Sequence, residues 1–198
     1  MNIMKVLLLF GAVTVVLNAC SAIPYQSPED LARMKADLGL DAMPRGAMPV
    51  RWSWFNYGVL KDGLITEESV AIVQPGSLVL VGYESGHYVR RADIPSSTVD
   101  CVYVFRGVIS SEPIWLMQPN RVAFLGMGDP RMPTDQTARK ELIDKLAAAG
   151  FRIHSEADGK PFRPSADSPA PTPLAQVPGY EWRPQLSDHY EVFDVCRG

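Results

Sequence analysis

The sequence predicts an α+β domain: a mostly antiparallel sheet, one packed helix at about 135–149 and a short N-terminal helix. Three observations point there. Between Val50 and Gly126, short apolar stretches alternate with turn residues, as the strands of an antiparallel meander do. Over 135–149 the apolar positions take a helical period and stop at Gly150. Between Pro161 and Pro184, seven prolines rule out a helix or an inner strand.

The elements follow in order. Ser27-Pro28-Glu29-Asp30 opens a helix over about 28–38. Ser27 caps it, Pro28 suits the first helical position, and the two acids face the positive end of the helix dipole. Leu31, Met34 and Leu38 recur at helical spacing, and Gly39 offers the stop. Residues 41–49, rich in Met, Pro and Gly, read as a linker. From Val50, the residues Val50, Trp52 and Trp54 alternate with Arg51, Ser53 and Phe55. Further strands are expected at Val70–Val73, Leu78–Tyr83, His87–Arg91, Val99–Arg106, Ile114–Met117 and Val122–Gly126. Lys61-Asp62-Gly63, Gln74-Pro75-Gly76 and Glu84-Ser85-Gly86 supply turns.

In the second helix, capped by Thr134, the residues Ala138, Leu142, Leu146 and Ala149 share one face. Phe151–His154 then reads as a strand, so 122–154 has the pattern of one strand–helix–strand unit. The proline-rich stretch reads as an extended excursion pinned by Tyr180 and Trp182. His189, Glu191, Phe193 and Val195 alternate with their neighbours as a last strand returning to the sheet.

The N-terminus carries a different signal. Lys5 precedes an apolar run from Val6 to Leu17. At ~1.5 Å per residue this run covers roughly 18 Å, short of the ~30 Å hydrocarbon core, and suits a signal peptide. It ends in Leu17-Asn18-Ala19-Cys20, which resembles the lipobox of bacterial lipoproteins, with Leu17, Ala19 and Cys20 in the matching positions and Asn18 less usual. The resemblance covers about twenty residues and implies nothing about the fold that follows. It implies cleavage before Cys20, lipidation of Cys20 and a membrane partner through that lipid. Ser21, where an Asp would favour inner-membrane retention, resembles the outer-membrane pattern facing the periplasm. The other reading is a plain secretory signal cut near Ala19 or Ala22.

The expected organisation is then a signal peptide at 1–19 and a lipidated tether with its short helix at 20–48. The α+β core follows at 49–154, the proline-rich segment at 155–187 and the C-terminal strand at 188–198. The net charge of −3 becomes −4 once Lys5 is removed, and no long basic run exists, so nucleic acid is not an expected partner. With Cys20 lipidated, Cys101 and Cys196 form a candidate disulfide in an oxidising compartment; the alternative is two free thiols.

Few residue patterns point to chemistry. His87, His154 and His189 fall at no metal-binding spacing, and no metal or other cofactor is expected. Ser85 and His87 sit in a Gly82–His87 stretch that lacks the G-x-S-x-G elbow and reads as a hairpin turn. Gly126-Met127-Gly128-Asp129-Pro130-Arg131 lacks a complete phosphate-binding fingerprint. Arg90-Arg91, beside His87 and Tyr88, reads as a strand end or a small basic spot. Trp52, Trp54, Phe55 and Tyr57 are either core or a possible aromatic binding face; by strand alternation, Trp52 and Trp54 share one side and Phe55 and Tyr57 the other. No catalytic residue is assigned. The expected function is non-catalytic: a lipid-anchored envelope protein that binds or supports another envelope component, with an envelope protein as the expected partner. A periplasmic inhibitor or immunity-type protein and a periplasmic hydrolase using Ser85, His87 or the 126–131 loop are the alternatives.

Overall fold

Ser27 begins the first helix as its side chain predicts. Its Oγ accepts from the Asp30 N–H at 3.0 Å, and Asp30 Oδ2 accepts in return from the Ser27 N–H at 3.3 Å. This reciprocal cap satisfies two backbone donors that the first turn leaves open. Helix α1 runs Pro28–Leu38 and ends at Gly39, whose φ of 63° is the left-handed conformation of a helix stop. The computed structural model describes residues 23–59, 66–104, 113–127, 136–155, 161–164 and 190–197.

The strands are β1 (Met48–Asn56), β2 (Gly58–Val59), β3 (Glu67–Gln74), β4 (Ser77–Glu84), β5 (His87–Pro95), β6 (Cys101–Val104), β7 (Ile114–Met117) and β8 (Arg121–Met127). Helix α2 (Gln136–Ala148) follows, then β9 (Ile153–Ser155), β10 (Phe162–Pro164) and β11 (Tyr190–Val192). Eight of them make one sheet in the order β5-β4-β3-β1-β8-β7-β6-β9. Every pairing in it is antiparallel except β6 with β9. The α+β expectation is met. The 122–154 unit is a crossover from β8 through α2 to β9, which steps over β7 and β6.

Two differences from the expected elements have physical reasons. Met48 and Pro49 belong to β1 rather than to a linker, because Met48 is buried and Pro49 lies opposite Val70. The last strand pairs not with the large sheet but with β10 and β2, in a separate sheet of order β10-β11-β2. Pro164 is tolerated there because β10 is an edge strand. Thr134, Tyr180, Trp182 and His189, together with Cys20 and the whole 1–22 segment, lie outside the described residues.

Alternation along each strand divides the apolar residues between two faces. One face carries Val50, Trp52, Leu80, Val102, Leu116 and Leu125, packed under Leu142 and Leu146 of α2 and Ala149 just beyond its end. Trp52 Nε1 donates to Ser69 Oγ at 2.9 Å, so this buried indole keeps a partner. On the opposite face, Val70, Ile72, Val79 and Val81 pack under Met34 of α1. Further along that side, Phe55, Cys101, Tyr103, Trp115, Met117 and Val122 pack with Val192 of the small sheet. Two-residue turns set the hairpins: Ser85 and Gly86 both take positive φ, 50° and 87°, as a type I′ turn requires.

The chain is already docked at the start of the described part. Ile23 and Tyr25 pack against the α1 cluster, and Tyr88 donates its hydroxyl to the Pro24 carbonyl at 2.8 Å. The segment expected to be a tether is therefore part of the fold from Ile23 onward. No helix among the described residues is long and apolar enough to cross a membrane.

Candidate functional site

Among the described residues, a gathering of chemically capable side chains surrounds the bond between Cys101 and Cys196. The two cysteines are joined as a disulfide, with their Cα atoms 5.9 Å apart and 95 residues apart in sequence. Cys101 opens β6 and is fully buried; Cys196 is half-buried in the turn after β11. The strand pleat explains what else arrives there. Cys101 and Tyr103 share one side of β6, and β9 pairs in parallel so that His154 lies beside Tyr103. The Tyr103 and His154 rings lie 6.1 Å apart. One ring nitrogen of His154 and the two sulfur atoms all lie within 4.8 Å of one another. His154 Nε2 is buried and makes no hydrogen bond among the described residues.

Polar contacts hold the Cys196 turn from several sides. The Cys196 N–H donates to Asp194 Oδ1 at 2.9 Å, and its carbonyl accepts from Arg152 at 2.9 Å. Arg197 grips Asp100 with two donors, at 2.9 and 3.3 Å, and its Nε lies 3.4 Å from Asp194 Oδ2. Burial raises the Asp194 carboxyl above the ordinary aspartate value, and Asp100 beside it adds to the rise, against the Cys196 N–H and Arg197. Tyr57 completes the group. Its hydroxyl donates to the Gln118 carbonyl at 2.8 Å; burial first, then the Asp194 and Asp100 charges, push its phenol well above the usual tyrosine range. The bidentate bond to Asp100 holds Arg197 more firmly as the cation.

The structure distributes the other sequence candidates into structural roles. Trp52 and Phe55 are buried on opposite sides of β1, so Trp52, Trp54, Phe55 and Tyr57 do not form a common aromatic face. Arg121 covers the Trp54 ring at 3.8 Å, and Phe55 meets Trp115 edge-on at 5.4 Å. Ser85 occupies the hairpin turn, and His87 Nδ1 faces Asp37 of α1 at 3.6 Å. Arg90 pairs with Asp93 at 3.0 Å and Arg91 with Glu84 at 2.6 Å, which leaves no concentrated basic spot at this strand end. Gly126 and Met127 end β8, while 128–131 lie outside the described residues.

A shallow open depression of about 450 Å³ is lined by Thr98, Gln118, Pro119, Asn120 and Arg121. Three of its polar side chains bond one another: Gln118 Nε2 donates to Thr98 Oγ1 at 3.0 Å, and Arg121 Nε donates to Gln118 Oε1 at 3.0 Å.

Sequence reasoning named both cysteines but left His154 aside, because His154 and the cysteines have no metal-binding spacing. Only the β6–β9 pairing brings it to the sulfur atoms.

No family model matches the chain, and no curated protein does. Eleven chains of solved structures match. One, described as showing the structural role of the PH and C1 domains of the Vav1 exchange factor, is 12% identical with a TM-score of 0.42 over 61% of this chain and 32% of that one. Another, of Vav1 with an allosteric inhibitor, is 9% identical with a TM-score of 0.42 over 61% of this chain and 33% of that one. Autoinhibited Vav1 is 13% identical with a TM-score of 0.35 over 69% of this chain and 26% of that one. The chain thus spans a third or less of these proteins' lengths, and likeness at this level says nothing of its activity.

Proposed function

We propose that this chain is a lipid-anchored protein of the bacterial cell envelope, held in the outer membrane by acyl chains on Cys20 and facing the periplasm. In this reading it binds or supports another envelope protein and performs no catalysis. The carrying observation is the Leu17-Asn18-Ala19-Cys20 sequence, with the fold already docked at Pro24 soon after it. Only Ser21 and Ala22 separate the lipid attachment point from the docked Ile23. Three Cα steps of at most ~3.6 Å put Ile23 within about 11 Å of Cys20, so an acyl anchor there would hold this end of the domain close to the headgroups. A partner must then meet it at the membrane surface.

Several features support this reading. Leu17-Asn18-Ala19-Cys20 follows an apolar run too short to span a bilayer. The net charge of −3 offers no polybasic grip on anionic lipid, so acyl chains supply the anchoring. The Ser85 and His87 side chains of the hydrolase alternative serve a turn and a helix contact.

Membrane fractionation with mass spectrometry of the N-terminal peptide tests the anchor. The wild-type protein is expected in the outer-membrane fraction with acyl chains on Cys20, and Cys20→Ser in neither state. Wild-type protein released with the soluble periplasm, unacylated, overturns the proposal. Crosslinked capture from native envelopes, with Cys20→Ser as control, is expected to return one dominant partner from the anchored form alone. Hydrolysis of an envelope substrate by the purified protein overturns the non-catalytic reading.

A further inference from the structure

We propose that Cys101, Cys196 and His154 form a redox-gated zinc site: closed as a disulfide, and able to hold one Zn²⁺ once the bond is reduced. The inference stands whether or not Cys20 carries lipid. It rests on three observations.

The first is composition and proximity. Two sulfur atoms and an imidazole nitrogen within 4.8 Å of one another are a Cys₂His donor set, drawn from β6, β9 and the turn after β11. Such a set suits zinc, with the fourth tetrahedral position left to water or another ligand. Zn–S distances of ~2.3 Å require the sulfurs to separate to roughly 3.8 Å, a movement of about 2 Å from bonded contact. Cys196 can supply it by rotating its side chain, because it sits half-buried in a turn whereas Cys101 is fixed in β6.

The second is His154 itself. A buried ring nitrogen without a hydrogen bond is uncommon in a folded protein and calls for an explanation. Tyr103, its neighbour across β6 and β9, helps to fix the ring beside the sulfurs.

The third is that contacts other than the disulfide also hold the Cys196 turn in place. Cys196 is held through its N–H by Asp194 and through its carbonyl by Arg152, and the next residue, Arg197, is clamped to Asp100. Val192 is buried against the face that carries Cys101. These contacts are expected to keep both thiols beside His154 once the bond opens.

Charge favours a divalent ion. Two thiolates, a neutral imidazole and Zn²⁺ sum to zero, which suits a site with one fully buried sulfur. A monovalent ion would leave a net negative charge next to Asp100 and Asp194.

The gating step is thiol–disulfide exchange with a dithiol reductant. The reductant thiolate attacks the half-buried Cys196 sulfur and the Cys101 sulfur leaves; the second reductant thiol resolves the mixed disulfide. The products are two protein thiols and the oxidised reductant. Zinc binding then releases two protons from the thiols.

The test uses the full chain in detergent with Cys20→Ser, so that only Cys101 and Cys196 can be thiols. Zinc content after gel filtration, and affinity from chelator competition, are measured on oxidised and reduced protein. One zinc per chain in the reduced form, and none in the oxidised form, is expected. His154→Ala is expected to weaken binding at least about tenfold while keeping the far-ultraviolet circular dichroism of the parent. Cobalt in place of zinc should give sulfur-to-metal charge-transfer bands and tetrahedral d–d bands in the parent. A reduced, folded parent that takes up no zinc overturns the proposal, as does equal binding by His154→Ala. Should reduction unfold the chain, zinc is expected to restore its thermal transition, and failure to do so also overturns it.

Discussion

The hydroxyl of Tyr88 donates to the carbonyl oxygen of Pro24 at 2.8 Å, tying the edge strand β5 to the chain just ahead of α1. Burial, with the Asp30 charge second, pushes this phenol up to about 12. Its neutral form is therefore favoured in the fold. The contribution is complete below the ordinary tyrosine value and is lost as pH rises through about 12. Tyr88→Phe should lower stability by about 1 kcal/mol, as expected for one lost hydrogen bond. It should also speed chymotrypsin cleavage after Tyr25, read by gel and mass spectrometry. An unchanged cleavage rate would show that the apolar contacts of Ile23 and Tyr25 hold the segment alone.

Met34 is fully buried between α1 and the β3–β5 end of the sheet. Met34→Ala should cost about 2–5 kcal/mol by urea denaturation, through lost transfer energy and the cavity left behind.

The disulfide closes a sequence separation of 95 residues, for which chain entropy gives a stabilisation of about 4–5 kcal/mol. Reduction in metal-free buffer should lower the thermal midpoint by roughly 8–20 °C in a chain of this size. A scanning calorimetry trace with and without reductant measures it.

Asp194 and Asp37 predict opposite pH dependence. Burial, with Asp100 second, raises the Asp194 carboxyl, so its protonated form is favoured in the fold. That contribution is complete below the ordinary carboxylate value and is lost as pH rises through the raised folded value. The Tyr88 N–H bond, aided by His87, lowers Asp37, so its contribution is present above the ordinary value and is lost as pH falls through the lowered one. Thermal midpoints across about pH 3 to 7 should therefore fall less steeply with rising pH in Asp194→Asn, and should drop less on acidification in Asp37→Asn.

Ser85 takes φ of 50° in its turn, a conformation that disfavours most side chains. Ser85→Asn should stabilise the protein by about 0.5–1 kcal/mol, since Asn-Gly is the preferred type I′ pair. If binding to the envelope partner is unchanged in this variant, Ser85 has no part in the function.

What was legible in the sequence is what residue neighbours decide. Ser27 with Asp30 fixes the start of α1 and Gly39 its end, and both are local matters of backbone bonding. Alternation placed Trp52 and Phe55 on opposite sides of β1 because side-chain direction has a period of two. The centre of the sheet was not legible. β1 lies between β3 and β8, and nothing near Val50 names Met127 as its partner. β2 is too short to show a pattern. The triangle of Cys101, His154 and Cys196 was hidden for the same reason, since three distant segments meet there only after the strands have paired.

The seam between β1 and β8 divides the large sheet into two meanders, β1-β3-β4-β5 and β8-β7-β6, each built from strands close in sequence, with β9 added in parallel beyond β6. These halves can zip separately, whereas closing the seam must bring Val50 to Met127 across the intervening chain. Loop entropy makes that the slow, late step of folding. Until it is complete, β1 and β8 are open edges displaying Trp52, Phe55, Val122 and Leu125. The hazard for this protein therefore falls on the half-assembled chain: two sticky borders await each other in a crowded compartment, and a neighbouring molecule can take the place of either.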